Sequence, residues 1–159
     1  MIKDELFEKL KNLMTIQQHL MVNAQNNYDA GSIKLKNDEF VSLYGFSVSE
    51  DGELMMYSKV KIPSMVATYT KVVNVFDEVV NPEPLIELYT FVLDIAEEGN
   101  KVLENIRKKY IGKRIKMDDE ADIAFTIHSV KVLGSVIHFV DAEEIDSVNP
   151  ELCTLYDQN

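Results

Sequence analysis

His128 and His138 stand ten residues apart with Asp141 just beyond them, the residue types of a metal or acid–base site. A hairpin turning through Gly134-Ser135 would set Lys131 opposite His138 and His128 opposite Asp141, which puts the two imidazoles on opposite faces of the ribbon. No HExxH, HxH or cysteine cluster completes a coordination shell. His19 lies among Gln17, Gln18 and Asn23 with no partner for chemistry, so all three histidines read as structural or surface residues. Asp118, Glu120 and Asp122 imitate the first alternating ligands of a calcium loop. Ile123 then occupies the position that needs glycine for the sharp turn, and Ser129 stands where the bidentate glutamate belongs. As a glycosidase pair these carboxylates lack the burial that raises one pKa. Gly112-Lys113-Arg114 lacks the upstream glycine and the downstream Ser or Thr of a phosphate loop, and no G-x-S-x-G is present. The lone Cys153 lies in an acidic tail near Asp157, which holds a thiol protonated. The expectation is a protein with no catalytic residue, no metal and no cofactor.

Charge is more informative. The 159 residues carry a formal net charge of −11. From residue 117 onward Asp118, Asp119, Glu120, Asp122, Asp141, Glu143, Glu144, Asp146, Glu151 and Asp157 face Lys131 alone. The stretch just before is the reverse: Lys101, Arg107, Lys108, Lys109, Lys113, Arg114 and Lys116 against Glu104. An acidic chain repels nucleic acid as a whole, because phosphate binding rests on Lys and Arg displacing counterions, so direct DNA binding over a wide surface is not expected. The acidic third favours steering toward a basic partner, such as a protein whose own basic surface holds nucleic acid. The basic stretch has two readings beside a binding patch. Its helical part favours the negative end of the helix dipole, and its cations can pair internally with the acidic connections. Tyr110 is the one aromatic that accompanies it.

Length and an apolar content of 46% fit one domain spanning residues 1–159. The acids in Met1-Ile2-Lys3-Asp4-Glu5-Leu6 do not suit a signal peptide, and no run approaches the ~20 apolar residues of a membrane span. A single cysteine fits a reducing, cytoplasmic setting.

The elements that must position these residues follow from periodicity. Leu6, Leu10, Leu13, Leu20 and Ala24 predict an amphipathic helix from Ile2 to about Ala24, leaving through Asn26, Asn27, Asp29 and Gly31. Phe40–Val48 and Leu54–Val60 read as a hairpin around an Asp51-Gly52 type I′ turn, pairing Val48 with Met55, Phe46 with Tyr57 and Tyr44 with Lys59; Ser32–Lys36 is a short preceding strand. After Pro63-Ser64, the spacing of Met65, Tyr69, Val72, Phe76 and Val79 predicts a helix. Asn81-Pro82-Glu83-Pro84 breaks it, and a stripe from Leu85 to Tyr110 follows, as one long helix or as two that meet at Gly99. The last third predicts strands Tyr110–Met117, Ile123–Leu133 and Val136–Val140, the latter two joined by a type II′ turn at Gly134-Ser135. The fold class is α+β: an antiparallel sheet built from the N-terminal hairpin and a C-terminal three-stranded meander, packed with three to four helices. Both acidic clusters fall in exposed connections, at 117–122 and 141–146.

With its N-terminal Met1-Ile2-Lys3-Asp4-Glu5-Leu6-Phe7-Glu8-Lys9-Leu10-Lys11 and its stretch Ile137-His138-Phe139-Val140-Asp141-Ala142-Glu143-Glu144-Ile145-Asp146, the chain resembles small acidic proteins of phages and mobile elements in low-GC Gram-positive bacteria. It resembles most the staphylococcal anti-CRISPR proteins that inhibit Cas9. These share no common fold, so the resemblance transfers no residue by position. What it implies is a non-enzymatic inhibitor acting in the bacterial host cell on a Cas9 ribonucleoprotein, which must dock its HNH nuclease domain before cutting. Inhibition through that domain is favoured over a DNA mimic that plugs the nucleic-acid channel. The expected contact residues are Asp118, Asp119, Glu120, Asp122, Asp141, Glu143, Glu144 and Asp146. The alternatives are a phage structural or regulatory adaptor, monomeric or homodimeric, and a small-ligand sponge using the cations from Arg107 to Lys116.

Overall fold

A three-residue loop, Glu50-Asp51-Gly52, sets the register of the first large hairpin. The Ser49 amide donates to the Glu53 carbonyl and the Gly52 amide to the Ser49 carbonyl. Gly52 has φ +81° while Asp51 is not left-handed, so the loop is a type I turn closed by a left-handed glycine and not the two-residue I′ turn that Asp51-Gly52 suggested. The strands β3 (Gly45–Val48) and β4 (Leu54–Lys61) accordingly pair Val48 with Leu54 and Phe46 with Met56, one residue away from the expected register. A one-residue slip exchanges the two faces of β4: Leu54, Met56 and Ser58 turn inward to full burial, and Met55 and Tyr57 lie on the opposite face.

The computed structural model describes residues 1–29, 31–61, 68–120 and 122–156. Among these it has three helices and eleven strands in small antiparallel sheets, an α+β fold. The helices are α1 (Glu5–Asn27), the single turn α2 (Val75–Glu78) and α3 (Glu83–Tyr110). None of the described helices is long and apolar enough to cross a membrane. The chain divides into two compact units, Met1–Ile16 with Ile95–Asn159, and Gln17–Asp94, each with its own buried cluster.

In the unit Gln17–Asp94, the helix expected from Met65 to Val79 is instead largely strand. β5 (Thr68–Asn74) pairs antiparallel with β4 from Lys61↔Thr68 to Met55↔Asn74, and only the single turn α2 follows. The β-branched Thr68, Thr70, Val72 and Val73 suit a pleated surface, and ladder pairing along β4 outweighs the three-to-four spacing of the apolar residues. Asn74 ends the strand, its side-chain oxygen accepting the Phe76 and Asp77 amides of α2. Pro63, Ser64 and Met65 lie outside the described residues. Ile33–Lys34 (β1) pairs with Phe40–Val41 (β2) as a separate two-stranded sheet, which splits the strand expected over Phe40–Val48. α3 settles the choice left open at Gly99: it is one helix, entered through the Pro82 carbonyl, which accepts the Leu85 and Ile86 amides.

In the other unit the expected meander is two sheets. β6 (Arg114–Met117) lies between β7 (Ala124–Thr126) and β11 (Cys153–Leu155), while β9 (Val136–Val140) lies between β8 (Ser129–Leu133) and β10 (Ser147–Val148). The strand read as Ile123–Leu133 changes partner in the middle. The Ile127 amide still donates to Lys113 beside β6, whereas the His128 amide donates to Val140 of β9. The turn at Gly134-Ser135 has φ +55° and +70°, both positive, and is therefore type I′ and not II′. Its register is the expected one, with Val130↔Phe139, Lys131↔His138 and Val132↔Ile137, and the ladder ends at Ser129↔Val140 short of His128 and Asp141. Both sheets fill one core: Ile115 and Phe125 from the first, Val130 and Phe139 from the second, with Leu10, Ile106 and Tyr110 of the helices.

One buried carboxylate ties this unit together. The Asp4 side chain, 7% exposed, accepts from Lys109 at 2.6 Å, the Tyr110 hydroxyl at 2.5 Å and the Leu6 amide at 2.9 Å. Burial alone would raise its pKa, but the Lys109 and Tyr110 bonds with the Leu6 amide reverse this and hold it below the usual carboxylate value. A folded pKa below the unfolded one stabilises the fold at pH above the unfolded value of about 4, and that contribution disappears as pH falls through the lower folded value. Asp4→Asn keeps an amide oxygen for Leu6 but removes the charge. Its urea midpoint is expected below that of the parent at neutral pH, with the gap closing in acid; a gap that persisted unchanged in acid would assign the loss to shape and not to charge.

Candidate functional site

The acidic connections are stiffened by their own backbone. Between β6 and β7 the Met117 amide donates to Ile123, the Ile123 amide to Glu120 and the Asp118 amide to Leu152. The Asp118 carboxylate accepts from the Met1 ammonium at 2.8 Å and the Thr154 hydroxyl at 2.5 Å, and these bonds hold its pKa below the usual range. After β9, the Asp141 carboxylate accepts the Ile145 and Asp146 amides at 2.9 and 3.3 Å, while the Glu144 amide donates back to the Asp141 carbonyl. Glu144, at φ +57°, pairs with Lys131 at 2.7 Å, which lowers its pKa.

The expected contact residues thus divide in two. Asp118, Asp141 and Glu144 spend their carboxylates on bonds to groups of the same chain and shape the connections. Asp119, Glu120, Asp122, Glu143 and Asp146 are exposed, with no ion pair among the described residues. The structure brings Asp118, Asp119, Glu120 and Asp122 into one turn and Asp141, Glu143, Glu144 and Asp146 into another; no hydrogen bond or ion pair among the described residues joins the two.

Ion pairing of the basic stretch with the acidic connections, one reading of it, does not take place among the described residues. Arg107 pairs with Glu104 at 2.5 Å and donates to the Val130 carbonyl, and Lys109 pairs with Asp4. Lys101, Lys108, Lys113, Arg114 and Lys116 form no ion pair there, although the charge of Lys116 adds to the lowering of the Asp118 pKa.

Sequence reasoning missed Ile145, 75% exposed and the most exposed of the large apolar residues described. It stands between Glu144 and Asp146 as an apolar point inside an acidic rim, the arrangement of a protein-binding anchor. The signal was present as a lone isoleucine in the run Asp141-Ala142-Glu143-Glu144-Ile145-Asp146.

Among the described residues, no three His, Cys, Asp or Glu side chains converge as a metal site would require. His138 faces Lys131 across the ladder, while Ser129 Oγ and His138 Nδ1 are buried with no hydrogen-bond partner among the described residues. Cys153 is fully buried, its thiol 3.7 Å from the Pro150 carbonyl; burial, and secondarily Asp118, pushes its pKa up to about 11. The Asp157 invoked for this effect lies outside the described residues. Compared with known proteins, the chain matches no family model, no curated protein and no solved structure.

Proposed function

We propose that this protein is a non-enzymatic inhibitor of a CRISPR–Cas9 nuclease, acting in the cytoplasm of the bacterial cell and binding the effector through its acidic connections. The supporting observation is that Asp119, Glu120, Asp122, Glu143 and Asp146 stand exposed and uncompensated although the basic stretch of the same chain holds Lys101, Lys108, Lys113, Arg114 and Lys116 without an ion pair among the described residues. Charge left open beside available partners is suited to an external basic surface, and such a surface steers association. Ile145 favours a protein surface over an open nucleic-acid channel as the target, because an apolar residue gains most when a partner's side chains close over it and exclude water. Engagement of the HNH nuclease domain fits this better than mimicry of DNA along the channel.

The test is plasmid cleavage by a panel of Cas9 ribonucleoproteins, one of them staphylococcal, with a gel shift on the same samples. Lost cleavage with retained DNA binding is the expected result. Lost binding would replace the nuclease-domain reading with DNA mimicry. No effect on either would overturn inhibition and leave the phage adaptor reading in its place.

A further inference from the structure

We infer that the outer face of the sheet β11-β6-β7 is a contact for single-stranded nucleic acid, built by Arg114, Lys116 and Tyr156. β6 alternates as a half-buried strand does: Ile115 is 1% exposed in the core, and its neighbours Arg114 and Lys116 share the other face. The Tyr156 amide donates to the Arg114 carbonyl at 2.9 Å, so Tyr156 extends β11 and stands directly across from Arg114. The Arg114 guanidinium carbon lies 5.5 Å, and the Lys116 Nζ 5.6 Å, from the centroid of its ring. On the other side β7 offers only Thr126 opposite Arg114 and Ala124 opposite Lys116, so two cations and one ring rise from a low floor.

Neither cation has an ion pair among the described residues; Lys113, one residue before Arg114, lies over the Tyr110 ring, 5.5 Å from its centroid, and is not part of the patch. The nearby Asp118 is already engaged by the Met1 ammonium and Thr154. Two cations two residues apart on a strand are separated by about 6.6 Å, a spacing that neighbouring phosphates of an extended strand can follow. An aromatic ring beside them gives a base a stacking surface, the combination used by sequence-tolerant single-strand binders. A duplex presents a broad field of phosphates to a protein of net charge −11 and is repelled, whereas a short single strand needs only this patch. An acidic protein segment would use the cations but gain little from the ring, so single-stranded nucleic acid is the better fit.

The test is fluorescence anisotropy of a labelled oligothymidylate with the whole protein in low-salt buffer; it needs no nuclease, so its outcome is separate from that of the cleavage assay. Binding is expected to weaken with salt at a log–log slope of about −1.4, from two phosphate contacts. Tyr156→Ala is expected to weaken it about tenfold, Tyr156→Phe to leave it unchanged, and Arg114→Glu with Lys116→Glu to abolish it. Arg114→Gln with Lys116→Gln is the substitute if the reversed pair does not fold, and circular dichroism checks each variant. Absence of binding at low salt, or binding unchanged in the charge variants, would overturn the inference. Equal binding of labelled polyglutamate, indifferent to Tyr156→Ala, would overturn it in favour of an acidic protein partner.

Discussion

Phe139→Ala is expected to destabilise the protein by about 3–5 kcal/mol, measured as the loss of unfolding free energy in urea. Phe139 is fully buried, with its ring centroid 5.3 Å from that of Tyr110 and 6.0 Å from that of Phe7. Like Val140, it is paired on both sides within β9, opposite Val130 of β8 and Val148 of β10. Truncation removes the transfer free energy of the ring and leaves a cavity that two fixed aromatic neighbours cannot fill. Phe139→Leu retains most of the volume and is expected to cost under about 1.5 kcal/mol. Since whole domains are stable by only about 5–15 kcal/mol, the alanine variant should approach the limit of folding. A loss below about 1 kcal/mol would mean that the site collapses around the cavity and that this ring is not central to the core. The consequence for function is direct, because β9 ends at Val140 and the second acidic connection begins at the next residue.

Much of this arrangement is legible from residue spacing. The stripe of α1, the in-phase apolar stripe on both sides of Gly99 and the β8–β9 register all follow from apolar periodicity and from a Gly-Ser turn, because local rules of period and turn chemistry act there without competition, although the stripe left one helix or two open at Gly99. Three features are decided by longer-range pairing. β5 carries apolar residues at helical spacing, but β4 offers it a complete ladder. Ile127-His128 looks continuous with its neighbours, yet the chain changes sheet there because β6 and β9 compete for the same strand. At Asp51-Gly52 the dipeptide fits two turn types, and burial of Leu54 and Met56 selects the register. The same division holds at the candidate site. That acids cluster in connections is visible in the sequence; which of them are consumed by Met1, Thr154, Lys131 and loop amides is a property of the folded chain, and so is the second aromatic of the basic stretch, Tyr156, supplied from β11's side some forty residues later.

That division decides how the acidic surface should be tested. Changing Asp119, Glu120, Asp122 and Glu143 together to Lys is expected to weaken association with the nuclease about a hundredfold, chiefly through the on-rate and most strongly at low salt. The fold should be nearly indifferent, since these side chains are exposed without ion pairs among the described residues and surface substitutions of that kind each change stability by about 0.5 kcal/mol or less. Reversing Asp118, Asp141 and Glu144 would confuse the two effects, because it breaks the bonds to Met1, Thr154, Lys131 and the Ile145 amide that give the connections their shape. Ile145→Ala supplies the complementary measurement: a contact made by burying an apolar side chain should fail through a faster off-rate with no change in salt dependence. Binding kinetics at two ionic strengths, read beside plasmid cleavage, separate the contributions. If the fourfold lysine variant inhibits as well as the parent while remaining folded, the acidic connections are solubilising surface and the contact lies elsewhere. If it loses inhibition and Ile145→Ala does not, steering by charge is sufficient and the isoleucine is no anchor.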